Sequence, residues 1–509
     1  MIITDKKILE QYYSEKRLWQ GIPSVEVTDK GRIFVTFYSG EITEQIGNVS
    51  MVFMSDDGKN FGEPVVAAYL EDHRCYDPCL WIDPLGRLWF TWGKGPKHET
   101  YGAICEDPDA DKLIWGEEFK IGEDVMMNKP TALSSGEWLF PIAVWKEPLI
   151  CMQKYKEDKE TGAFVYQTVD NGKSFTKLGG VNAWGRTYDE HMLLEMNNGA
   201  IRMYIRTKYG IAMSDSYDGG LTWTEAKDSG IGGPDARFHI RRLKSGRILQ
   251  INHYNYKGRN NLTALLSEDD GKTWKYKMLI DERDNVSYPD AKEAADGYIY
   301  IVYDRDRASG AETLDEANKT PREILIAKIT EEDIINGAVT TEGSYLRHIV
   351  SRLGEYGGED KNPYHEFARY NDRELADYLV GEFSKEGALK ELLYKYSDIC
   401  FCMNGEYAEL LDSKISAYEN KGNTESLEAV VTLIRANSDK KAENSYETLV
   451  DKINGAVKQD LSKTLSTAEA AKILEMSRYY IENVFEKYTC VSLERYLEYF
   501  KNREIKRAI

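Results

Sequence analysis

The sequence predicts a mainly β fold, a six-bladed β-propeller, followed by an α-helical C-terminal domain. Three features point there. A short box recurs as SEDDGKTW (Ser267 to Trp274), SYDGGLTW (Ser216 to Trp223), TVDNGKSF (Thr168 to Phe175) and MSDDGKNF (Met54 to Phe61). An alternating apolar strand runs into each box, as in LTALLSEDDG. After Tyr345 the apolar residues change from strand to helix spacing, as in EYAELLDSKISAYE.

The box aspartates are read as Asp56, Asp170, Asp218 and Asp269, the last two steps being 48 and 51 residues. The first gap, 114 residues, leaves room for an unmarked unit, and CEDPDADKLIW (Cys105 to Trp115) looks like its eroded copy. A period near 50 residues is that of a four-stranded propeller blade. Within the box, Asp accepts backbone N–H bonds, Gly supplies positive φ, and the aromatic folds back between sheets. Its role is structural, so the boxes belong on peripheral turns. Six blades fit between about residue 15 and residue 345.

At 509 residues the chain is too long for one ordinary domain. The expected division is a propeller over 1–345, a linker over 346–363 containing GGEDKNP, and a helical domain over 364–509. Apolar residues make up 42 %, enough for a large core, and 34 Tyr with 10 Trp suit an all-β body whose aromatics also line sugar sites. A net charge of −19 argues against a nucleic-acid surface. No run of 18 apolar residues offers a membrane span. MIITDKKILEQYYSEK lacks the apolar centre of a signal peptide. The seven cysteines are scattered and odd in number, and Cys75 and Cys79 have no second pair at zinc spacing. Reduced thiols, a cytoplasmic location, no metal and no cofactor are therefore expected.

Four further segments carry chemistry-bearing residues in order. WQGIPSVEV holds Ile22 and Pro23. YDEHMLLEMNNGAIRMYIRT sets Glu190 and Arg206 16 residues apart across a turn. GRNNLTALLSEDDGKTW puts Arg259 just before a box-bearing strand, and VSYPDAKEAADGYIYIVYD supplies Tyr288. Together with the boxes, this set resembles the sialidase superfamily over roughly residues 15 to 330. The resemblance implies Tyr288 as nucleophile, Glu190 as its base, and Arg206 and Arg259 as a clamp on a substrate carboxylate. The physical logic agrees. A sialic acid carries a carboxylate on its anomeric carbon, which repels a carboxylate nucleophile but not a neutral phenol. A phenol of pKa about 10 then needs a base.

The chain departs from that pattern at Gly21, where the family places an arginine before Ile-Pro. Candidates to replace it are Arg74, the first choice, with Lys129 and Arg237; each opens a strand. The family's acid/base is an Asp in the loop after the first-blade strand, and YSGEITEQIGN has none. Glu41 and Glu44 are available there, and Asp77 on the next blade; Glu44 and Asp77 are preferred. His191 and His239 are candidates for sugar hydroxyls. The implied activity is an exo-glycosidase releasing a terminal sialic acid or related acidic sugar with retention, its partner being an acidic sugar or sialoglycan. Two rivals remain: a propeller glycosidase or lyase for another uronic or nonulosonic acid, and a non-catalytic sugar-sensing regulator.

The end of the chain resembles the first helix-turn-helix of AraC-type regulators. It offers a helix from Ala468 to Leu474, a turn at Met476 and Ser477, a second helix with Tyr480 and Phe485 inward, and Arg503 in a last helix. Glu482 and Glu486 set against Arg478 and Lys487 suit a phosphate backbone poorly. The tail is read as a packing or homo-oligomerisation module.

Overall fold

A computed structural model describes residues 1–40, 43–145, 160–307, 322–354, 413–414, 416–418, 424–437, 445–458, 461, 463–473 and 492–508. Six antiparallel sheets follow one another along the chain, one per blade, as the box spacing predicts. Their innermost strands are Trp19–Val27, Arg74–Ile82, Thr131–Ala132, Met192–Glu195, His239–Arg242 and Val286–Glu293. The first of these is buried along its whole length, whereas outer strands such as Thr176–Val181 contain no buried residue. The first blade gains a fifth strand, Ile2–Ile3, at its rim. The last blade ends with Tyr345–Leu353, so the propeller runs past residue 345 into the expected linker.

Among the described residues no strand is shared between first and last blade, and side chains close the ring instead. Trp19 Nε1 donates to Arg307 O at 3.0 Å, Gln20 Nε2 to Arg322 O at 2.8 Å, and Ile22 N to Asp304 Oδ2 at 2.8 Å.

The boxes sit where a third strand ends, with Asp218 Oδ1 accepting from Thr222 N and Asp269 Oδ1 from Thr273 N. In the first blade the residue differs from the one expected. Asp57, not Asp56, accepts from Lys59 N and Asn60 N, while Asp56 pairs with Arg32 at 2.8 Å. This box is one residue shorter and starts at Ser55, whose Oγ accepts from Gly58 N. The eroded copy lies at the same place in the second blade, where Cys105 bridges Trp115. Box aromatics fill the gaps between blades: Phe175 of the third blade lies edge-on to Trp89 of the second, with centroids 6.5 Å apart. Gly172 is required beside it, because its φ is 86° and a Cβ would come 2.3 Å from the Trp89 ring.

A buried ionic hub fills the axis. Asp290 Oδ2 accepts from Ser24 Oγ at 2.6 Å and Val25 N at 3.0 Å, and lies 3.0 Å from Lys129 Nζ. Asp290 Oδ1 lies 3.1 Å from His239 Nδ1. Burial opposes the Asp290 charge, but Lys129, His239 and Arg237 outweigh it and hold the carboxyl well below the usual range. Lys129 Nζ also donates to Val25 O and Leu80 O and pairs with Glu26 at 3.0 Å. Arg237 Nε donates to Asn128 Oδ1 at 2.7 Å, and Asn128 Nδ2 donates to Glu190 O, which brings in the fourth blade.

The described C-terminal helices include Thr424–Asn437, Ser445–Lys458, Thr467–Ile473 and Leu493–Ala508. The last docks on the fourth blade: Arg495 pairs with the box residue Asp218 at 3.0 Å, Arg503 with Glu195 at 2.5 Å, and Tyr496 Oη donates to Asn198 O. Met476, Ser477, Tyr480 and Phe485 lie outside the described residues. Among the described residues no helix is long and apolar enough to cross a membrane.

Asp290→Ala is expected to lower unfolding free energy by about 3–5 kcal/mol, since it strands buried cations; urea titration checks this. In thermal melts Asp57→Ala should cost more than Asp56→Ala, and the reverse order would restore the original box register.

Candidate active site

The site forms at the mouth of the axis opposite the boxes, where inner strands begin and second strands end. Three inner strands break register here, between Gly21 and Ser24, Tyr76 and Cys79, and Ser287 and Asp290. Each break holds a left-handed residue before a proline: Ile22 (φ 57°), Asp77 (φ 49°) and Tyr288 (φ 56°). Proline disfavours helical backbone in the residue before it, and positive φ is costly for bulky side chains. Such breaks in the strands bend the chain and re-aim side chains, and strain of this kind collects at functional sites. Glu190 (φ 41°) and Asp189 (φ 59°), just ahead of the fourth inner strand, share the left-handed conformation.

Tyr288, Glu190 and Arg206 are in direct contact. Tyr288 Oη donates to Glu190 Oε1 at 2.9 Å, and Arg206 Nη1 reaches Glu190 Oε1 at 2.5 Å and Tyr288 Oη at 3.1 Å. Glu190 Oε2 is buried without a hydrogen-bond partner among the described residues. Asp235 aligns the two arginines: its Oδ1 accepts from Arg206 Nε at 2.7 Å, and its carbonyl accepts from both Arg206 Nη2 and Arg259 Nη2. The Arg259 guanidinium stands 5.4 Å from the Tyr288 ring centroid. Burial raises the Tyr288 pKa, and Glu190 adds to this against the pull of Arg206, Arg307 and Arg259, so the resting phenol keeps its proton.

The space over Gly21, where an arginine was expected, is occupied by Arg307, just past the second strand of the last blade. A Cβ on Gly21 would lie 1.8 Å from Arg307 Cδ, so the glycine makes room for that side chain. The Arg307 guanidinium stands 4.4 Å from the Tyr288 ring centroid, bonds Asp304 Oδ2 through Nε at 3.1 Å, and pairs with Glu44 Oε1. Sequence reasoning missed Arg307. The available signal was a glycine where a long side chain was expected, which obliges a neighbour to fill the gap.

The other candidates separate into two groups. Arg74 is buried and supports the wall: its Nη2 donates to Glu44 Oε2 and Tyr38 Oη, both at 2.8 Å, and its guanidinium stands 4.4 Å from the Tyr76 ring centroid. It therefore does not take the place of the missing arginine. Lys129 and Arg237 are committed to the axial hub two residues deeper along the strands. His191 Nε2 meets Phe164 O at 2.8 Å inside a blade interface, and His239 belongs to the hub. Of the two acid/base candidates, Glu44 is clasped by two guanidiniums. Burial works against its charge, but Arg307 and Arg74 hold its carboxyl below the usual range. Asp77 is the opposite case. Burial pushes its pKa to about 7, with Glu44 and Glu190 adding to the rise against Arg74. It accepts no hydrogen bond from the described residues. Glu41 lies outside them. Among the described residues no group of three or more His, Cys, Asp or Glu is arranged to hold a metal.

Chemically, the cluster offers a phenol with a base in contact, three guanidiniums around that phenol, and one carboxyl that exchanges its proton near neutrality. Residues 31–301 match the family model described as BNR repeat-like domain, over half of the chain, and the chain belongs to that family. No curated protein is a sequence match. Similar solved structures include the Hadza microbial sialidase Hz136 (18 % identity, TM-score 0.48, 57 % of this chain and 64 % of that one). The leech intramolecular trans-sialidase complexed with 2,7-anhydro-Neu5Ac aligns at 14 % identity and TM-score 0.48, over 63 % and 69 %. The Penicillium chrysogenum alpha-L-arabinanase complexed with arabinobiose aligns at 12 % and 0.42, over 62 % and 94 %. At such identities and scores these likenesses bear on neither substrate nor mechanism.

Asp77 has a folded pKa raised above the unfolded value of about 3.9. Its contribution to stability is thus full below about pH 4 and lost as pH rises through about 7. Urea midpoints of Asp77→Asn should gain on wild type between pH 5 and pH 8. Identical pH dependence of the two proteins would assign that titration to another group.

Proposed function

We propose that the chain is a retaining exo-glycosidase that releases a terminal sialic acid or a closely related acidic sugar. The observation that carries this is the Tyr288–Glu190–Arg206 contact ringed by Arg259 and Arg307. In this reading the arginines bind the substrate carboxylate through charge-assisted hydrogen bonds. Tyr288 Oη attacks the anomeric carbon as Glu190 takes its proton, and the Arg206 guanidinium at 3.1 Å stabilises the developing phenolate. Asp77, protonated near neutrality, gives its proton to the departing glycosidic oxygen. The glycosyl–tyrosine bond is then broken by a water that returns a proton to Asp77, while Glu190 reprotonates the phenol. Two displacements at one carbon retain its configuration, and sialidases are a recognised tyrosine exception among glycosidases.

A second reading, another uronic or nonulosonic acid as substrate, is favoured by the third arginine. Arg307 enters from the last blade and is held by Glu44, so the clamp differs in direction from one built on residue 21. The helical tail we read as a packing module. Arg495 and Arg503, cations a DNA reader would need, are instead paired with Asp218 and Glu195.

Tyr288→Phe should abolish release from an aryl α-sialoside with folding intact, and Glu190→Gln should slow it by roughly 10²-fold or more. Arg307→Ala should cut kcat/KM by roughly one to two orders of magnitude, the worth of one or two charged hydrogen bonds. Gly21→Ala should do the same by displacing that side chain. Equal cleavage of neutral and acidic aryl glycosides would refute the acidic-sugar reading.

A further inference from the structure

The opposite mouth of the axis holds a second cavity, of about 340 Å³, between the ends of the fifth and sixth inner strands. It lies on the box side of the propeller, away from Tyr288. Its lining includes Lys129, Arg241, Lys244 and Lys292, with Glu26 and Glu293. In a chain of net charge −19 this is a local excess of positive charge.

Lys129 is met by both Glu26 and Asp290, but Arg241 and Lys244 have no carboxylate in ion-pair contact among the described residues. Glu26 is shared by Lys129 at 3.0 Å and Lys292 at 2.9 Å. Among the described residues Lys244 Nζ donates to the neutral Ala294 O alone, and its backbone N–H donates to Glu293 Oε2 at 2.7 Å. Arg242 is paired elsewhere, with Asp270. Arg241 is half-buried and donates one hydrogen bond, Nη2 to Pro130 O at 3.0 Å, with no carboxylate in ion-pair contact among the described residues. Burial pushes its pKa down, and Glu26 and Asp290 offset this only in part. A partly desolvated guanidinium with no carboxylate in direct contact is costly, and a bound anion lowers that cost. A cavity of this size with a few convergent charged groups is what small ligands occupy.

We propose that this cavity is a second, non-catalytic binding site for a compact oxyanion, a phosphate or a small polycarboxylate, held by Arg241, Lys244 and Lys292. The site rests on the fold and is independent of the proposed glycosidase reaction. Ala291, Lys292 and Glu293 continue the strand that carries Tyr288, so an occupant braces that strand from its far end.

The full-length chain is titrated calorimetrically with inorganic phosphate and with citrate at constant ionic strength, beside galactose as neutral control. Saturable binding of phosphate or citrate is expected, the preferred probe identifying the anion class. Arg241→Gln and Lys292→Gln should each weaken it by about tenfold or more, as loss of a charged hydrogen bond implies. Arg206→Ala should leave it unchanged. No saturable binding of either anion overturns the proposal. So does binding lost in Arg206→Ala but kept in Arg241→Gln, which would put the anion at the Tyr288 end. If Arg241→Gln does not fold, Lys244→Gln and Lys292→Gln decide in its place.

Discussion

The carboxylate of Asp290 is the point on which the rest of the molecule depends. It is deeply buried and receives groups from the first, third and fifth blades while belonging to the sixth. A propeller has no central layer of apolar side chains shared by all blades, because inner strands meet edge to edge around a narrow axis. One acceptor with several donors, themselves tied to neighbouring carbonyls, supplies the missing connection. Tyr288 stands two residues earlier on the same strand, in a backbone conformation that a tyrosine before proline resists. The hub anchors the strand just beyond the strained residue, and Ser287 Oγ holds it just before by donating to Asp304 Oδ1 at 2.9 Å. The strained tyrosine is held from both sides.

The site constrains where charge stands, not which strand provides it. Gly21 and Arg307 are at opposite ends of the propeller sequence and adjacent in space. Glu44 and Asp304 receive the Arg307 guanidinium, and Arg74 with Tyr38 steadies Glu44. So engaged, the Glu44 carboxyl is held below the usual range, whereas burial raises that of Asp77. Two carboxyls of the same wall are thus driven in opposite directions, Glu44 down by its guanidiniums and Asp77 up by burial.

Much of the architecture could be read directly, because a box is a local device. Its Asp, Gly and aromatic act on residues within a single turn, and the spacing counts the blades. The first box was misread by one residue because Asp56 and Asp57 are adjacent, and only the amides they face distinguish them. Tyr288, Glu190, Arg206 and Arg259 were legible through their order along the chain, and they do converge. Lys129 and Arg237, each two residues ahead of an inner strand and near the axis, meet the carboxylates and carbonyls of the hub, and Arg74 meets Glu44 and Tyr38 in the wall. Arg307 left no local trace, since its place is defined by a vacancy far away in the sequence.

The seam has a consequence for how the protein comes into being. With no strand exchanged between first and last blade, the ring shuts through Trp19, Gln20 and Ile22 reaching groups at Asp304 and beyond. The same closure delivers Arg307 against Gly21. During synthesis the first five blades can stack as they emerge, yet the pocket stays open on one side until the sixth has left the ribosome. The pocket around Tyr288 is therefore complete only once the last blade meets the first, and its closure reports that the circle is whole.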